Sequence, residues 1–256
     1  MFDGEDLNEP ISRLRDVPFR MLVPNLITLG AICSGLTGIR LAVEGRFELA
    51  ILAVVFAAIL DGLDGRVARF LKSSSSFGEQ MDSLADFVNF GVAPALILYF
   101  WTLKDARSMG WIVALIFAIC ASLRLARFNV MLEDPNRPQW QVDFFTGVPA
   151  PAGALIGLLP VYLGILGLER GPWMTWFSSI YLLFIAFLLV SNLPTWSGKR
   201  AGKRISRRLV LPFMVGLMLA IAMLFSYPWY VLSGVSLLYL ASIPLSYRDW
   251  LKREAE

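Results

Sequence analysis

Residues 61–86 read DGLDGRVARFLKSSSSFGEQMDSLAD and carry four aspartates between two strongly apolar stretches. The segment before them, residues 49–60, reads LAILAVVFAAIL, and the segment after them, residues 87–100, reads FVNFGVAPALILYF. An aspartate at the centre of a membrane helix costs about 2.5–3.5 kcal/mol on insertion scales. The four carboxylates therefore need a compensating partner, and the nature of that partner indicates the function.

The composition of the chain is that of a membrane protein. Of its 256 residues, 57% are hydrophobic, whereas soluble domains usually contain about 45–50%. Because a helix needs about 20 apolar residues to cross a membrane, the sequence predicts an all-α integral membrane protein with eight spans. The predicted spans cover residues 22–43, 47–70, 80–102, 109–131, 149–168, 175–193, 208–227 and 229–246.

Basic residues predict the orientation of these spans. They cluster in residues 1–20, in residues 197–208 (SGKRAGKRISRR) and in the tail after residue 247. An even number of spans puts all three segments on one side, which the positive-inside rule makes cytoplasmic. Residues 1–20 lack the apolar stretch of a cleavable signal peptide. We therefore expect a multi-pass protein of the inner (cytoplasmic) membrane.

Two residue types limit the chemistry. The chain contains no histidine, which excludes every mechanism that uses a histidine base, nucleophile or metal ligand. Its two cysteines, Cys33 and Cys120, both lie inside predicted spans, where we expect small packing residues rather than a disulfide.

The spacing of the aspartates predicts a single cluster. Asp61 and Asp64 are three residues apart, and Asp82 and Asp86 are four apart, so each pair occupies one face of a helix. The short link at residues 71–79, LKSSSSFGE, makes the two helices antiparallel neighbours. Four carboxylates can then converge in one pocket near the cytoplasmic ends of these helices.

Divalent cations are the partners that best fit such a cluster. Hard cations bind several oxygen ligands and neutralise their charge, and four carboxylates are enough for two ions. Two-metal sites characteristically serve phosphoryl transfer. Gly65 and Ala68 are small residues beside Asp61 that leave room for a ligand, Arg69 suits a phosphate, and Gly78 permits a tight turn.

Two other interpretations of the cluster are weaker. The acids could pair with arginines to hold helices together, but only Arg66 and Arg69 are near in sequence, two cations against four acids. The acids could also line an ion or proton pathway. A pathway needs ionisable groups at the midplane or the far side, where the predicted spans carry almost none.

The pattern D-x2-D-G-x2-A-R-x8-G-x3-D-x3-D resembles the signature of the CDP-alcohol phosphotransferase family. Its positions are Asp61, Asp64, Gly65, Ala68, Arg69, Gly78, Asp82 and Asp86. The resemblance implies transfer of a substituted phosphate from a CDP-linked donor to an alcohol, with release of CMP. It implies that the four aspartates bind two divalent cations, Mg²⁺ or Mn²⁺, and that Asp86 is the general base. It also implies a CDP site lined by Asp61, Asp64, Gly65, Ala68, Arg69 and Gly78.

Further segments resemble the bacterial family members that use L-serine as the acceptor and CDP-diacylglycerol as the donor. These segments are PNLITLGAICSG (24–35), SLADFVNFGVAPA (83–95), RLARFNV (124–130) and FTGVPAPAGA (145–154). Asn25 and Thr28 match an asparagine and a threonine that the family places near the cytidine. The expected function is phosphatidyl transfer to serine in phospholipid biosynthesis. Choline, glycerol phosphate or an inositol phosphate remain alternative acceptors.

Arg124 and Arg127 lie one turn apart near the cytoplasmic end of the fourth span. Either they extend to the lipid head groups, or one of them binds the serine carboxylate or a phosphate.

The resemblance also implies a domain organisation and an assembly. A six-span core would cover residues 21–195, between a cytoplasmic segment at 1–20 and a basic cytoplasmic loop at 196–207. Two additional spans would occupy 208–247 before a cytoplasmic tail at 248–256. We expect a homodimer among membrane lipids, with its active site facing the cytoplasm and no nucleic-acid partner.

Overall fold

The structure is a computed structural model that describes residues 19–73, 75–132, 144–196 and 207–254. Most of the predicted cytoplasmic N-terminal segment and basic loop lie outside these ranges. The described residues form ten α-helices, which are α1 (Phe19–Val43), α2 (Phe47–Phe70), α3 (Ser76–Asp86), α4 (Ala93–Trp101), α5 (Arg107–Leu132), α6 (Ala150–Gly157), α7 (Leu159–Ile165), α8 (Pro172–Val190), α9 (Arg207–Ser226) and α10 (Pro228–Glu254).

Four short elements complete the described fold. A π-helical segment, Phe87–Val92, joins α3 to α4, and a 3₁₀ turn, Leu103–Ala106, leads into α5. Strands β1 (Phe144–Thr146) and β2 (Pro194–Trp196) pair antiparallel, with Phe145 opposite Thr195.

Helices occupy all eight predicted spans, which confirms the all-α membrane class. Among the described residues, five helical segments are long and apolar enough to cross a membrane: Leu22–Val43, Ser76–Trp101, Leu103–Met131, Pro172–Val190 and Pro228–Leu251. Two further apolar helical segments, Ala150–Ile165 and Val210–Ser226, are shorter. Helix α2 has 24 residues but carries charged residues in its last turns. The chain is therefore a multi-pass membrane protein, and the count of eight spans stays a prediction.

Two of the differences from the predicted helix boundaries have a clear physical cause. Helix α3 begins at Ser76 rather than near residue 80, because the Ser75 hydroxyl accepts a hydrogen bond from the Gly78 N–H at 3.1 Å and so caps the helix. The predicted fifth span is broken at Leu158, just before Pro160 in α7, because proline has no N–H for a continuous helix.

Close packing of α1 on α2 positions the first two aspartates. The Ser34 hydroxyl donates to the Ala53 carbonyl at 2.7 Å. A Cβ at Gly38 would lie only 3.0 Å from the Ala50 carbonyl oxygen, so the two backbones approach at this glycine. Small residues at such crossings are typical of membrane helix pairs.

The two C-terminal helices differ in how they contact the rest of the protein. Helix α10 packs on the core through a face that includes the buried residues Ser236, Ile243 and Ser246. Its Trp229 ring lies 6.4 Å from the ring of Tyr162 in α7. Residues 210–226 of α9 are exposed throughout. Only α10 therefore reaches the interior of the bundle.

Candidate active site

Three of the four aspartates meet between α2 and α3. One carboxylate oxygen from each of Asp61, Asp64 and Asp82 lies within 4.8 Å of the other two. Asp64 is only 4% exposed, and its Oδ2 accepts a hydrogen bond from the Thr28 hydroxyl at 2.6 Å. Helix α1 thereby fixes one carboxylate of the cluster.

Asp86 adjoins this cluster one turn further along α3. It interacts directly with Asp61 and electrostatically with Asp82. Its Oδ1 is buried and accepts no hydrogen bond from the described residues. A buried carboxylate oxygen without a partner is expected to meet a cation or a ligand proton. The π-helical segment begins at the next residue, and such segments are frequent at functional sites.

A cavity of about 230 Å³ opens beside the acids. Seven of the eight residues predicted to contact CDP line it, and they are Asn25, Thr28, Asp64, Gly65, Ala68, Arg69 and Gly78. The eighth, Asp61, belongs to the adjacent carboxylate cluster. The structure therefore brings the whole predicted donor site together.

The two glycines that line this cavity have different surroundings. A Cβ at Gly65 would have no neighbour within 4 Å, so this stretch of α2 presents bare backbone to the open space. A Cβ at Gly78 would lie 3.1 Å from Asn25 Oδ1 and 3.2 Å from Ser75 Oγ. Gly78 therefore lets α3 begin directly against α1.

The donor set of the cluster fits hard divalent cations. Its ligand atoms are carboxylate oxygens held close together, and the buried Oδ1 of Asp86 has unused acceptor capacity. Oxygen ligands of this kind suit Mg²⁺ and Mn²⁺ rather than softer metals. The residues that would hold such ions are Asp61, Asp64 and Asp82, with Asp86 beside them.

Arg124 is buried in α5 rather than extended toward lipid head groups. It is 6% exposed, and its guanidinium lies 5.3 Å from the centre of the Phe128 ring. It interacts electrostatically with Asp86. Within the described part of the chain, no hydrogen bond or ion pair to its guanidinium is formed. A buried guanidinium with free donors is well suited to bind an anionic group of a substrate.

Arg127 has a different environment from Arg124. Its guanidinium donates to the Val190 carbonyl and to Asn192 Oδ1, each at 2.8 Å, and to the Ser191 carbonyl at 3.0 Å. Longer contacts reach the carbonyls of Leu189 and Thr146. The last carbonyls of a helix lack intrahelical partners, so Arg127 caps the C-terminus of α8. The predicted roles of Arg127, head-group contact or binding of the serine carboxylate or a phosphate, stay predictions beside this capping role.

Replacing Arg127 with methionine is expected to destabilise the protein without changing acceptor recognition. The variant leaves several C-terminal carbonyls of α8 without a donor, and we expect a loss of about 2–4 kcal/mol in unfolding free energy. Thermal unfolding in detergent measures this loss. The exposed Lys104, replaced by methionine, is the matched control. An unchanged unfolding temperature for Arg127→Met would contradict the capping role.

Sequence reasoning missed several residues around the site. Ser73, Ser75 and Glu79 also line the cavity, and their position around Gly78 in the short link was the available signal. Asn129 in α5 donates to the Ser83 hydroxyl at 3.0 Å. This bond connects α5 to α3 at a residue that lies between Asp82 and Asp86. The sequence separation of Asn129 and Ser83 gives no indication of it.

Comparison with known proteins identifies the family. The family model described as CDP-alcohol phosphatidyltransferase matches residues 21–191. This chain belongs to that family. A second model, CDP-alcohol phosphatidyltransferase 2, matches residues 208–244, the region of α9 and α10. The resemblance seen in the aspartate pattern is thereby confirmed.

Several relatives in this family carry one name, CDP-diacylglycerol–serine O-phosphatidyltransferase. The protein of that name from Mycobacterium leprae is 40% identical over 245 residues, which cover 92% of this chain and 78% of the relative. The one from Helicobacter pylori (strain 26695) is 41% identical over 176 residues, 67% of this chain and 70% of the relative. The one from Bacillus subtilis is 34% identical over 149 residues, 56% of this chain and 80% of the relative.

Proposed function

We propose that this member of the CDP-alcohol phosphatidyltransferase family transfers the phosphatidyl group of CDP-diacylglycerol to the hydroxyl of L-serine and releases CMP. The observation that carries the proposal is the carboxylate cluster at the edge of a cavity lined by the predicted CDP contacts. The serine acceptor is supported by the names of the relatives and by the free guanidinium of Arg124.

The donor would lie with its cytidine in the cavity and its acyl chains among the lipid-facing helices. Asn25 and Thr28 line the part of the cavity on α1, and Arg69 lines the part on α2. Arg69 is placed to hold the pyrophosphate. Two divalent cations held by the four aspartates would offset the negative charge that develops on the pyrophosphate.

The acceptor would enter on the Asp86 side of the cluster. Asp86 takes the proton of the serine hydroxyl, and the serine oxygen attacks the phosphorus that carries diacylglycerol. A bond forms between this oxygen and that phosphorus, and the bond from the same phosphorus to the bridging oxygen of CMP breaks. The bonding electrons leave with CMP. The chain's remaining task is to orient the acceptor, for which Arg124 near Asp86 is suited.

The orientation in the membrane follows from the same placement. The acids flank the link between α2 and α3, which the alternation of spans puts on the side of the basic segments. We therefore propose a site that faces the cytoplasm in the inner membrane. The family resemblance suggests a homodimer.

The decisive test is to incubate the purified protein with CDP-diacylglycerol, Mg²⁺ or Mn²⁺, and one candidate alcohol at a time. We expect CMP release and a new phospholipid with L-serine, and only background with choline, glycerol phosphate or an inositol phosphate. Product formation with a phosphorylated acceptor instead of serine would overturn the serine assignment. No CMP release with any alcohol would overturn the transferase itself.

Replacing Arg124 with alanine is expected to raise the KM for serine at least about tenfold, because a charge-assisted hydrogen bond contributes about 1.5–3 kcal/mol. The KM for CDP-diacylglycerol should stay within about twofold, since Arg124 does not line the donor cavity. Arg107, exposed at the other end of α5, provides the control as Arg107→Ala. Equal changes in both KM values for Arg124→Ala would argue against acceptor binding.

A further inference from the structure

Helix α10 places the hydroxyl of Tyr239 within electrostatic range of Arg124. Its buried face includes Ser236, Ile243 and Ser246, and Tyr239 lies on the same face by helical spacing. Tyr239 packs against the main hydrophobic core, and α10 contacts strand β2 beside it. The position of this side chain is therefore fixed by its packing.

The Tyr239 hydroxyl is buried and unused. It makes no hydrogen bond of normal length and angle with any described residue. Thr195 of β2 lies close enough to interact with it, but the two hydroxyls do not form a well-aligned hydrogen bond, and the Thr195 hydroxyl donates to the Gly147 carbonyl at 2.8 Å. Buried phenol hydroxyls usually have a partner, so this one is expected to meet a ligand.

Three unsatisfied groups surround the same region from three helices. Arg124 of α5 interacts electrostatically with both Asp86 of α3 and Tyr239 of α10. Arg124 has free N–H donors, Tyr239 has a free O–H donor, and Asp86 has a free carboxylate acceptor. Two donors beside one acceptor match a molecule that carries a carboxylate and a hydroxyl.

We propose that Tyr239 is a specificity-determining residue that donates a hydrogen bond to the carboxylate of the serine acceptor, alongside Arg124. This inference rests on the proposed function and names how the acceptor is selected. It also gives α10 a role at the active site.

The chemistry of selection follows from the two donors. A carboxylate offers two oxygens with several lone pairs, enough for a guanidinium and a phenol at once. An amino alcohol without the carboxylate leaves both donors buried and unpaired, and sites built around a polar group strongly reject analogues that lack it. The pair should therefore favour serine over serinol, in which a hydroxymethyl group replaces the carboxylate.

The test uses the full-length protein with Tyr239→Phe, which removes the hydroxyl and keeps the ring. We expect kcat/KM for serine to fall about tenfold through a higher KM, while the KM for CDP-diacylglycerol stays within twofold. With serinol, whose rate is followed below saturation, wild type and Tyr239→Phe should have the same kcat/KM. If Tyr239→Phe lowers kcat/KM for serine but not for serinol, the Tyr239 hydroxyl interacts with the serine carboxylate. A purely structural role of the hydroxyl would lower kcat/KM for both substrates.

The control is Tyr162→Phe in α7. The Tyr162 hydroxyl donates to the Leu155 carbonyl at 2.9 Å, and its ring contacts Trp229 of α10. This variant therefore removes a second buried phenol hydroxyl while it keeps the ring contact with α10 and leaves the acceptor side untouched. We expect no change in the preference for serine over serinol.

The outcomes separate the inference from the function on which it rests. If wild type makes phosphatidylserine and Tyr239→Phe keeps its KM for serine, the inference is overturned and the proposed function stands. If Tyr239→Phe loses serine and serinol turnover equally, the hydroxyl is structural and the inference is again overturned. If wild type makes no phosphatidylserine, both are overturned.

Discussion

Replacing Asp86 with asparagine is expected to abolish phosphatidyl transfer while CDP-diacylglycerol still binds within about tenfold of the wild-type affinity, or about 1.4 kcal/mol. Asparagine keeps the shape and one oxygen of the side chain but cannot accept the serine proton. Asp86 is outside the donor cavity, so its loss should leave most donor contacts in place. A modest loss of donor affinity is expected because Asp86 also adjoins the metal-binding cluster.

Asp64→Asn is the informative comparison for this variant. Asp64 lines the cavity and belongs to the three-acid cluster, so its substitution should reduce both turnover and donor binding. CMP release measures turnover, and binding of CDP-diacylglycerol in the presence of Mg²⁺ or Mn²⁺ measures the donor site. Asp105→Asn, exposed at the 3₁₀ turn, is the control. Near wild-type turnover by Asp86→Asn would remove Asp86 as the base.

Removal of divalent cations is expected to reduce activity to background. The carboxylates of Asp61, Asp64 and Asp82 lie within 4.8 Å of one another. Without cations, their negative charge repels the negatively charged pyrophosphate and disfavours its binding. Mg²⁺ or Mn²⁺ added after chelation should restore activity. Direct binding of Mn²⁺ to the protein provides a second readout, and Asp61→Asn should weaken it. Full activity after exhaustive chelation would exclude a metal-dependent mechanism.

The convergence of the aspartates is the part of the site that the sequence predicts best. The spacings of three and four residues place each pair on one helix face, and the short link leaves the two helices little freedom. The residues of the cavity follow for the same reason, since nine of the twelve that line it lie in the stretch from Asp64 to Asp82. Local spacing is enough where the site is built from one continuous stretch of chain.

The roles of Arg127 and Tyr239 could not be predicted in this way. Arg127 donates to backbone carbonyls more than 60 residues away. Because every residue has a backbone carbonyl, the sequence does not indicate which ones will accept from Arg127. Tyr239 reaches the acceptor side only because α10 docks on the core, which depends on the packing of an entire helix. Both roles come from tertiary contacts between distant segments.

The π-helical segment Phe87–Val92 has a consequence for the whole third span. Each residue of an α-helix advances the side chains by about 100° around its axis, and a π-helical turn accommodates one residue more than an α-helical turn. Relative to an uninterrupted α-helix, the extra residue rotates the side chains of α4 by about 100° around the helix axis with respect to those of α3. The carboxylates of α3 and the apolar side chains of α4 therefore face different directions along one continuous helical segment. The chain can aim its acids at the cavity and its apolar residues at the core at the same time, and the number of residues between Asp86 and Ala93 sets this rotation.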